Sequence, residues 1–171
     1  MYPDSLLIQK VKSGKSEASE QLVIKYYSSI YQYCFLNIRD RDLAEDMTQE
    51  TFVRFFESLK TYTDYGKTKN YLYRIAGNIL KNYYKKKKEV LIGEIPEMPE
   101  NSMGDIATKM DIEQAIDNLP EELKEVTILF FFQDLKQNDI ADLLNIKLSL
   151  VKYRISKAKK ILSECLEVSR K

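Results

Sequence analysis

The chain has 171 residues, of which 44% are hydrophobic, and its 27 basic residues nearly balance 26 acidic ones, for a formal net charge of +1. This composition excludes a wholly disordered chain, because the apolar fraction is sufficient for a buried core. Histidine is absent, which excludes histidine-dependent catalytic triads and histidine-ligated zinc.

Every predicted element is a helix, since glycine and proline number only 5 and 4 while leucine, isoleucine, lysine and glutamate are abundant. We therefore expect an all-α protein. In the amino-terminal part the predicted helices lie near residues 4–12, 16–38, 41–61 and 68–88. Ser16 is the expected cap of the second helix, and Asp40 or Asp42 opens the third. The predicted core stripe of the second helix is Val23, Tyr27, Ile30, Cys34 and Ile38.

The third helix carries an acidic face that is not wholly polar. Plotted at 100° per residue, its core stripe is Ala44, Met47, Thr51, Phe55 and Leu59. The opposite side, which we call the docking face, comprises Asp42, Glu45, Asp46, Gln49, Glu50, Val53 and Phe56, with Phe52 at its edge. A solvated acidic face with stray apolar residues is the simpler interpretation. Large apolar groups inside a charged rim are more typical of a protein-binding surface, which we predict here.

The fourth helix contains the stretch NYLYRIAGNILKNYYKKKK, residues 70–88, which is basic and aromatic and has no carboxylate. Its predicted core residues are Leu72, Ile75, Ala76, Ile79 and Tyr83. A second stripe, which we call the basic stripe, comprises Asn70, Arg74, Asn78, Lys81 and Lys85, with Tyr71 and Asn82 beside it. Gly77 is expected to leave that side of the helix open to close approach, at a cost of about 1 kcal/mol relative to alanine.

The chemistry of the basic stripe matches single-stranded or opened nucleic acid. Lysine and arginine bind phosphates, aromatic rings stack on unpaired bases, and amide groups both donate to and accept from base edges. A solvated basic helix end explains residues 85–88, where lysines suit the negative pole of the helix dipole. It does not explain the aligned Asn70, Arg74 and Asn78 further back along the helix.

Residues 90–110 are predicted to be a flexible linker between two small helical domains, residues 1–89 and 111–171. The linker contains two prolines and two glycines and lacks helical periodicity. Residues 89–113 hold seven acidic residues and one lysine, whereas residues 147–171 hold eight basic residues and two acidic ones. Charge separated in this way indicates distinct surfaces for distinct partners.

The carboxy-terminal part has the layout of a helix-turn-helix. Its predicted helices lie near residues 109–118, 120–132, 137–144 and 149–165. Asn145 is expected to take the left-handed turn conformation, and Ser149 to cap the last helix. The outer stripe of that helix is suited to a major groove and comprises Ser149, Lys152, Tyr153, Ser156, Lys157 and Lys160, with Arg154 as a further candidate DNA-binding residue.

Taken together, these motifs resemble the extracytoplasmic-function group of bacterial RNA polymerase sigma factors, over residues 16–162. DLAEDMTQETFVRFF resembles the region-two helix that docks on the β′ clamp helices of the polymerase. NYLYRIAGNILKNYYKKKK is similar to the part that recognises and melts the −10 promoter element. DNLPEELKEVTILFFFQDLKQNDIADLLNIKLSLVKYRISKAKKIL resembles region four, which reads the −35 element and contacts the β flap.

The resemblance implies roles for particular residues. The polymerase contacts it implies are Asp46, Gln49, Glu50 and Phe52. It also implies that Asn78 lies near a pocket for a flipped −10 base, with Arg74 and Lys81 on the backbone. The residues it directs toward the −35 groove are Lys152, Tyr153, Ser156 and Lys157. Among the departures from the family pattern, Tyr71 replaces a tryptophan, Asn145 a glycine, Leu150 a threonine and Tyr153 a serine.

The resemblance further implies core RNA polymerase and promoter DNA as partners, together with an anti-sigma protein that covers the polymerase-binding surfaces. No small-molecule substrate, cofactor, metal or catalytic residue is predicted, because no phosphate-cradling glycine loop, metal-ligand set or nucleophile–base arrangement is present. Residues 1–15 do not form a cleavable signal and no apolar run reaches the ~18 residues of a membrane helix, so we expect a cytoplasmic protein. Cys34 and Cys165 are expected to be buried free thiols.

Two other functions compete with a sigma factor. A helix-turn-helix regulator with an amino-terminal dimerisation or sensing domain binds duplex DNA without polymerase and does not need the basic stripe. An all-helical adaptor binds no DNA. An enzyme is the least favoured class.

Overall fold

A computed structural model describes residues 3–63, 66–91 and 112–168 of the chain. All regular structure in those residues is helical, which confirms the all-α prediction. The chain divides into two compact units, Met1–Tyr83 and Tyr84–Lys171. From residue 92 onward the predicted linker lies outside the described residues. No helix within the described ranges is both long enough and apolar enough to cross a membrane.

The amino-terminal unit is built on helices whose starts follow the predictions closely. They are α1 (Asp4–Lys12), α2 (Ser16–Ile38), α3 (Arg41–Ser58) and the part of α4 (Thr68–Leu91) that precedes Tyr84. Asp40 caps α3 by accepting a hydrogen bond from the backbone N–H of Leu43 at 3.0 Å. The prediction for Ser16 is wrong, because Lys15 occupies the cap position of α2 and makes no side-chain capping bond.

The core of this unit forms around α2, which packs against both α1 and α3. Its buried residues are Ala18, Leu22, Tyr26, Ile30, Tyr33, Cys34 and Leu36. The predicted members Val23, Tyr27 and Ile38 are only half-buried. Because neighbouring helices cover α2 from more than one side, its buried surface is wider than a single stripe and is displaced from the predicted one.

Two threonines of α3 lie in the core because their hydroxyl groups are satisfied within the helix. Thr48 donates to the carbonyl of Ala44 and Thr51 to that of Met47, each at 2.7 Å. Such bonds remove most of the cost of burying a hydroxyl group. The predicted α3 core stripe is buried throughout, so the acidic side of this helix faces away from the core.

The carboxy-terminal unit contains α5 (Ile112–Asp117), α6 (Glu121–Thr127), a π-helix (Ile128–Phe132), α7 (Gln137–Leu144) and α8 (Leu148–Val168). One cluster in its core joins Leu119 and Leu123 to Ala158 of α8, with Ile161 and Leu162 packed against it. The helix predicted over 120–132 is not a continuous α-helix, because it changes to the π form at Ile128. At the end of the π-helix the N–H of Gln133 donates to the carbonyl of Ile128, five residues back, at 3.1 Å.

The turn between α7 and α8 has the predicted conformation. Asn145 takes the left-handed form, with φ 54° and ψ 46°, and its N–H donates to the carbonyl of Ala141. Asparagine tolerates this region better than most residues because its short polar side chain can bond locally. Helix α8 begins at Leu148, so Ser149 lies inside its first turn and the prediction that it caps the helix is wrong.

Candidate nucleic-acid and protein interfaces

The docking face lies on the solvent side of α3. Asp42, Glu45, Asp46 and Gln49 are exposed, and Val53 is 51% exposed among them. Glu50 is half-buried and accepts a hydrogen bond from Arg54 Nε at 2.6 Å. Four exposed polar groups thus lie on the same side of α3 as an exposed valine, which combines polar and apolar surface on one face.

Phe52 differs from the other residues of the docking face because it is buried, with 5% exposure. Its ring stacks on Tyr27 of α2, with centroids 6.3 Å apart, and contacts Phe56 at 6.4 Å. Phe56 is half-buried. Phe52 therefore supports the face from below, while Phe56 and Val53 offer its accessible apolar surface.

The structure extends this face onto α2 through three aromatic residues that the sequence did not predict to belong to it, of which Tyr27 was predicted to lie in the core. Tyr27 stacks on Tyr31 at 6.5 Å, and Tyr31 stacks on Phe35 at 6.2 Å. Desolvation raises the pKa of Tyr27, and the carboxylate of Glu45 on the docking face raises it further. The spacing of these rings, four residues apart, is a signal that could have identified them.

The basic stripe is accessible along α4. Arg74, Asn78, Lys81, Asn82 and Lys85 are exposed, and Asn70 and Tyr71 are half-buried. No carboxylate occurs between residues 68 and 88, so no acidic side chain in that part of the helix opposes an approaching phosphate.

Tyr71 is one half of an aromatic pair. Its ring stacks on Tyr62, with centroids 4.4 Å apart and planes 15° apart, and approaches Phe55 at 6.1 Å. Lys12 Nζ donates to the backbone carbonyl of Tyr62 at 2.5 Å. Tyr62 lies between α3 and α4, outside any periodic pattern, so nothing in the sequence indicated this partner.

The inner side of α4 contacts α2 through the buried Tyr73. Tyr73 is fully buried and meets Tyr33 edge to face at 5.2 Å. A hydrogen bond joins the hydroxyl groups of Tyr73 and Ser29, yet desolvation still raises the pKa of Tyr73. At Gly77 a β-carbon would lie 3.3 Å from the hydroxyl oxygen of Tyr33. The close approach that Gly77 permits is therefore that of Tyr33, from inside the unit.

The outer stripe of α8 is also accessible. Ser149, Lys152, Ser156, Lys157 and Lys160 are exposed. Tyr153 is 58% exposed, and Lys157 Nζ lies 5.8 Å from its ring centroid. Leu150, which the sequence analysis did not include in the stripe, is 36% exposed.

Arg154 points away from that stripe. Its side chain is 18% exposed, and Nη2 lies 3.1 Å from Oε2 of Glu122 on α6. Its Nε is buried without a hydrogen-bond partner. Arg154 thus forms an ion pair within its own unit, and its predicted contact with DNA stays a prediction.

Within the described parts of the chain, no group of three or more acidic or cysteine side chains is arranged to hold a metal ion. Both cysteines are free thiols, with Cys34 buried and Cys165 half-buried. Burial raises the pKa of Cys34 to about 11, against the opposing effect of a hydrogen bond with Thr48.

Comparison with known families gives a match to each unit. The model of sigma-70 region 2 matches residues 22–90, and that of sigma-70 region 4 matches residues 109–162. The chain is 28% identical to the ECF RNA polymerase sigma factor SigW of Bacillus subtilis (strain 168), over 93% of this chain and 94% of that protein. It is 26% identical to the RNA polymerase sigma-H factor of Pseudomonas aeruginosa, over 96% and 94% of the two chains.

Two solved structures share the fold of this chain. The sigma factor RpoE of Bartonella quintana, in complex with the anti-sigma factor NepR, superposes with a TM-score of 0.74 at 19% identity, covering 87% of this chain and 96% of that one. CnrH, in complex with the cytosolic domain of CnrY, superposes with a TM-score of 0.73 at 20% identity, covering 98% and 99%. At these identities the likeness establishes the fold.

Proposed function

The chain belongs to the sigma-70 family of RNA polymerase sigma factors, within its extracytoplasmic-function group, and we propose that three surfaces on its two units carry out that work. The protein directs promoter-specific transcription initiation, as sigma factors with regions 2 and 4 do. Residues 1–89 dock on polymerase and open the −10 element, residues 90–110 link the two units, and residues 111–171 read the −35 element.

The docking face binds the β′ clamp helices of core polymerase. Its accessible apolar surface is Val53 and Phe56, and its polar residues include the acidic Asp42 and Asp46 and the neutral Gln49. A small apolar centre supplies affinity, while the acidic rim selects a basic partner and speeds its association. Phe52 acts through the packing of Phe56 and Tyr27.

The basic stripe holds the opened −10 strand. The observation that carries this proposal is the exposure of Arg74, Asn78 and Lys81 within residues 68–88 of α4, which contain no carboxylate. Arginine and lysine bind the backbone, and the amide of Asn78 can both donate to and accept from an unpaired base edge. Tyr71, stacked on Tyr62, offers an aromatic surface next to it.

Helix α8 reads the −35 duplex. The second helix of a helix-turn-helix places its amino-terminal residues against base edges in the major groove. Lys152, Tyr153, Ser156 and Lys157 meet that requirement because they are exposed in the first half of α8. The β flap of the polymerase is the proposed second contact of this unit.

Regulation by an anti-sigma protein is part of the proposal, since RpoE, whose fold this chain shares, was solved in complex with the anti-sigma factor NepR. We also propose that the protein acts in the cytoplasm, where polymerase and the chromosome are. Sigma factors are DNA-binding regulators, and no catalytic step by the chain itself is part of the proposal.

Run-off transcription with purified core polymerase on a promoter library tests the proposal. Wild type is expected to initiate from a shared −35/−10 pair. Asp46→Ala/Gln49→Ala is expected to lose core binding, and Asn78→Ala to bind core yet lose promoter opening. Glu20→Ala, an exposed carboxylate of α2 outside the docking face, is the matched control and should behave as wild type.

Failure of wild type to bind core or initiate, together with tight binding of duplex DNA by the chain alone, would overturn the proposal and favour a helix-turn-helix regulator. The match of sigma-70 region 2 to residues 22–90 argues against that alternative, which needs a dimerisation or sensing domain there.

A further inference from the structure

Two large apolar side chains are exposed side by side near the start of α8. Leu150 is 36% exposed and Tyr153 is 58% exposed. They are three positions apart, so they are neighbours on the helix surface. Single exposed apolar residues are ordinary on a protein surface, but an adjacent pair in the first two turns of a DNA-reading helix occupies the part that meets base edges.

The surroundings of this pair suit contact with DNA. Lys152, Lys157 and Lys160 lie exposed on the same outer surface of α8. Lys157 Nζ stands 5.8 Å from the centroid of the Tyr153 ring, which restrains the ring next to a positive charge. A polyanion is therefore the occupant that the charge of this surface favours.

The chemical groups on the base edges indicate which part of the DNA Leu150 and Tyr153 contact. In the major groove the edges of guanine, cytosine and adenine present hydrogen-bonding groups, whereas thymine also presents its C5-methyl group. Lysine and serine side chains of the outer stripe can serve the hydrogen-bonding groups. An aliphatic and an aromatic side chain gain contact energy from a methyl group.

We infer that Leu150 and Tyr153 read thymine in the −35 element by packing against its 5-methyl group. The inference rests on the proposed function, because it takes α8 to be the helix that enters the −35 groove. It adds a base identity to that function: a thymine, on either strand, opposite the first two turns of α8.

Replacing thymine by deoxyuridine tests this inference, because the substitution removes the methyl group and leaves all hydrogen-bonding groups in place. The −35 element is first selected from the promoter library with full-length protein and core polymerase. Each thymine of the selected element is then replaced singly, and initiation is measured at subsaturating holoenzyme. At one or more positions initiation should fall about fourfold, the effect of one buried methyl group.

Variants of the chain assign the effect to these two residues. The measured quantity is initiation from the thymine template divided by initiation from the uracil template at a sensitive position. Leu150→Ala and Tyr153→Ala should each reduce this ratio toward one. Tyr153→Phe should leave the ratio as in wild type. Lys160→Ala is the matched control on the same helix. It should lower initiation from both templates equally and so leave the ratio unchanged.

The outcomes separate the inference from the proposed function. Initiation from a selected −35 element that is indifferent to uracil at every position would overturn the inference alone. So would a ratio that neither Leu150→Ala nor Tyr153→Ala changes. Absence of initiation from any member of the library would overturn the proposed function and the inference with it.

Discussion

The hydroxyl oxygen of Tyr33 on α2 lies 3.3 Å from the point where a β-carbon would stand at Gly77 on α4. Tyr33 has little room to withdraw, because it is 2% exposed and its ring meets that of Tyr73 edge to face. Gly77 directly precedes Asn78, the proposed base-reading residue of the basic stripe. The contact therefore sets how closely the DNA-binding helix packs on α2.

The first prediction concerns this contact. Alanine favours a helix over glycine by about 1 kcal/mol, so Gly77→Ala should stabilise α4 by that amount when Tyr33→Phe has removed the hydroxyl oxygen. In the wild-type background the methyl group presses on that oxygen and the gain should be lost. Hydrogen exchange of the α4 amides measures both effects within the amino-terminal unit. Equal gains in the two backgrounds would contradict the prediction.

The stacked pair of Tyr62 and Tyr71 leads to a second prediction. Stacking of a base on an aromatic side chain is worth about 1–3 kcal/mol, so Tyr71→Ala should weaken binding of a single-stranded −10 oligonucleotide to the holoenzyme by at least about fivefold. Tyr71→Phe and Tyr71→Trp keep the ring and should bind as wild type. Fluorescence anisotropy of a labelled oligonucleotide gives the affinities. Unchanged binding by Tyr71→Ala would exclude a stacking role.

The ion pair between Arg154 and Glu122 leads to a third prediction. Replacing Arg154 should change the stability of its unit, whereas replacing Lys152 should change the affinity for DNA. Arg154→Ala removes both the ion pair and the packed stem of a side chain that is 18% exposed. It should destabilise the carboxy-terminal unit by about 1 kcal/mol, which weaker protection of the α6 and α8 amides against hydrogen exchange reports. Lys152→Ala should lower affinity for the −35 duplex and leave that protection unchanged. The reverse pattern would place Arg154 on DNA.

The fourth prediction concerns Cys34 at alkaline pH. Its pKa is raised from 9.0 to about 11 in the folded chain, so the folded state keeps a proton that the unfolded state loses between those values. Its contribution to stability is complete below pH 9 and is lost as pH rises to 11, by about 1.4 kcal/mol per pH unit. When the stability of Cys34→Ala is measured over the same pH range, it should fall by about 1.4 kcal/mol less per pH unit than the stability of wild type. Parallel curves for the two proteins would rule out this contribution.

Much of the fold was predictable because its signals are local. Asp40 could be named, together with Asp42, as a candidate helix cap since aspartate is strongly preferred at that position. Asn145 could be assigned to the left-handed turn between two short helices for a similar reason. The stripe of α4 was also predictable, since its alternation of polar and apolar residues follows one helical period.

Other features depend on contacts between distant residues and could not be predicted. Phe52 is buried because Tyr27 of another helix covers it. Tyr62 reaches Tyr71 only after the chain has folded, and Arg154 pairs with a glutamate 32 residues away. The π-helix at Ile128–Phe132 contains three consecutive phenylalanines, and consecutive apolar residues fit several helical periods equally.

The pairing of Arg154 with Glu122 also determines how promoter binding responds to salt. Each cation that reaches a phosphate of duplex DNA releases about 0.9 of a condensed counterion. While Arg154 stays paired with Glu122, we expect it to add nothing to that release. The slope of log affinity against log salt for the −35 duplex therefore counts the lysines of the outer stripe, and each lysine replaced by alanine should flatten it by about 0.9.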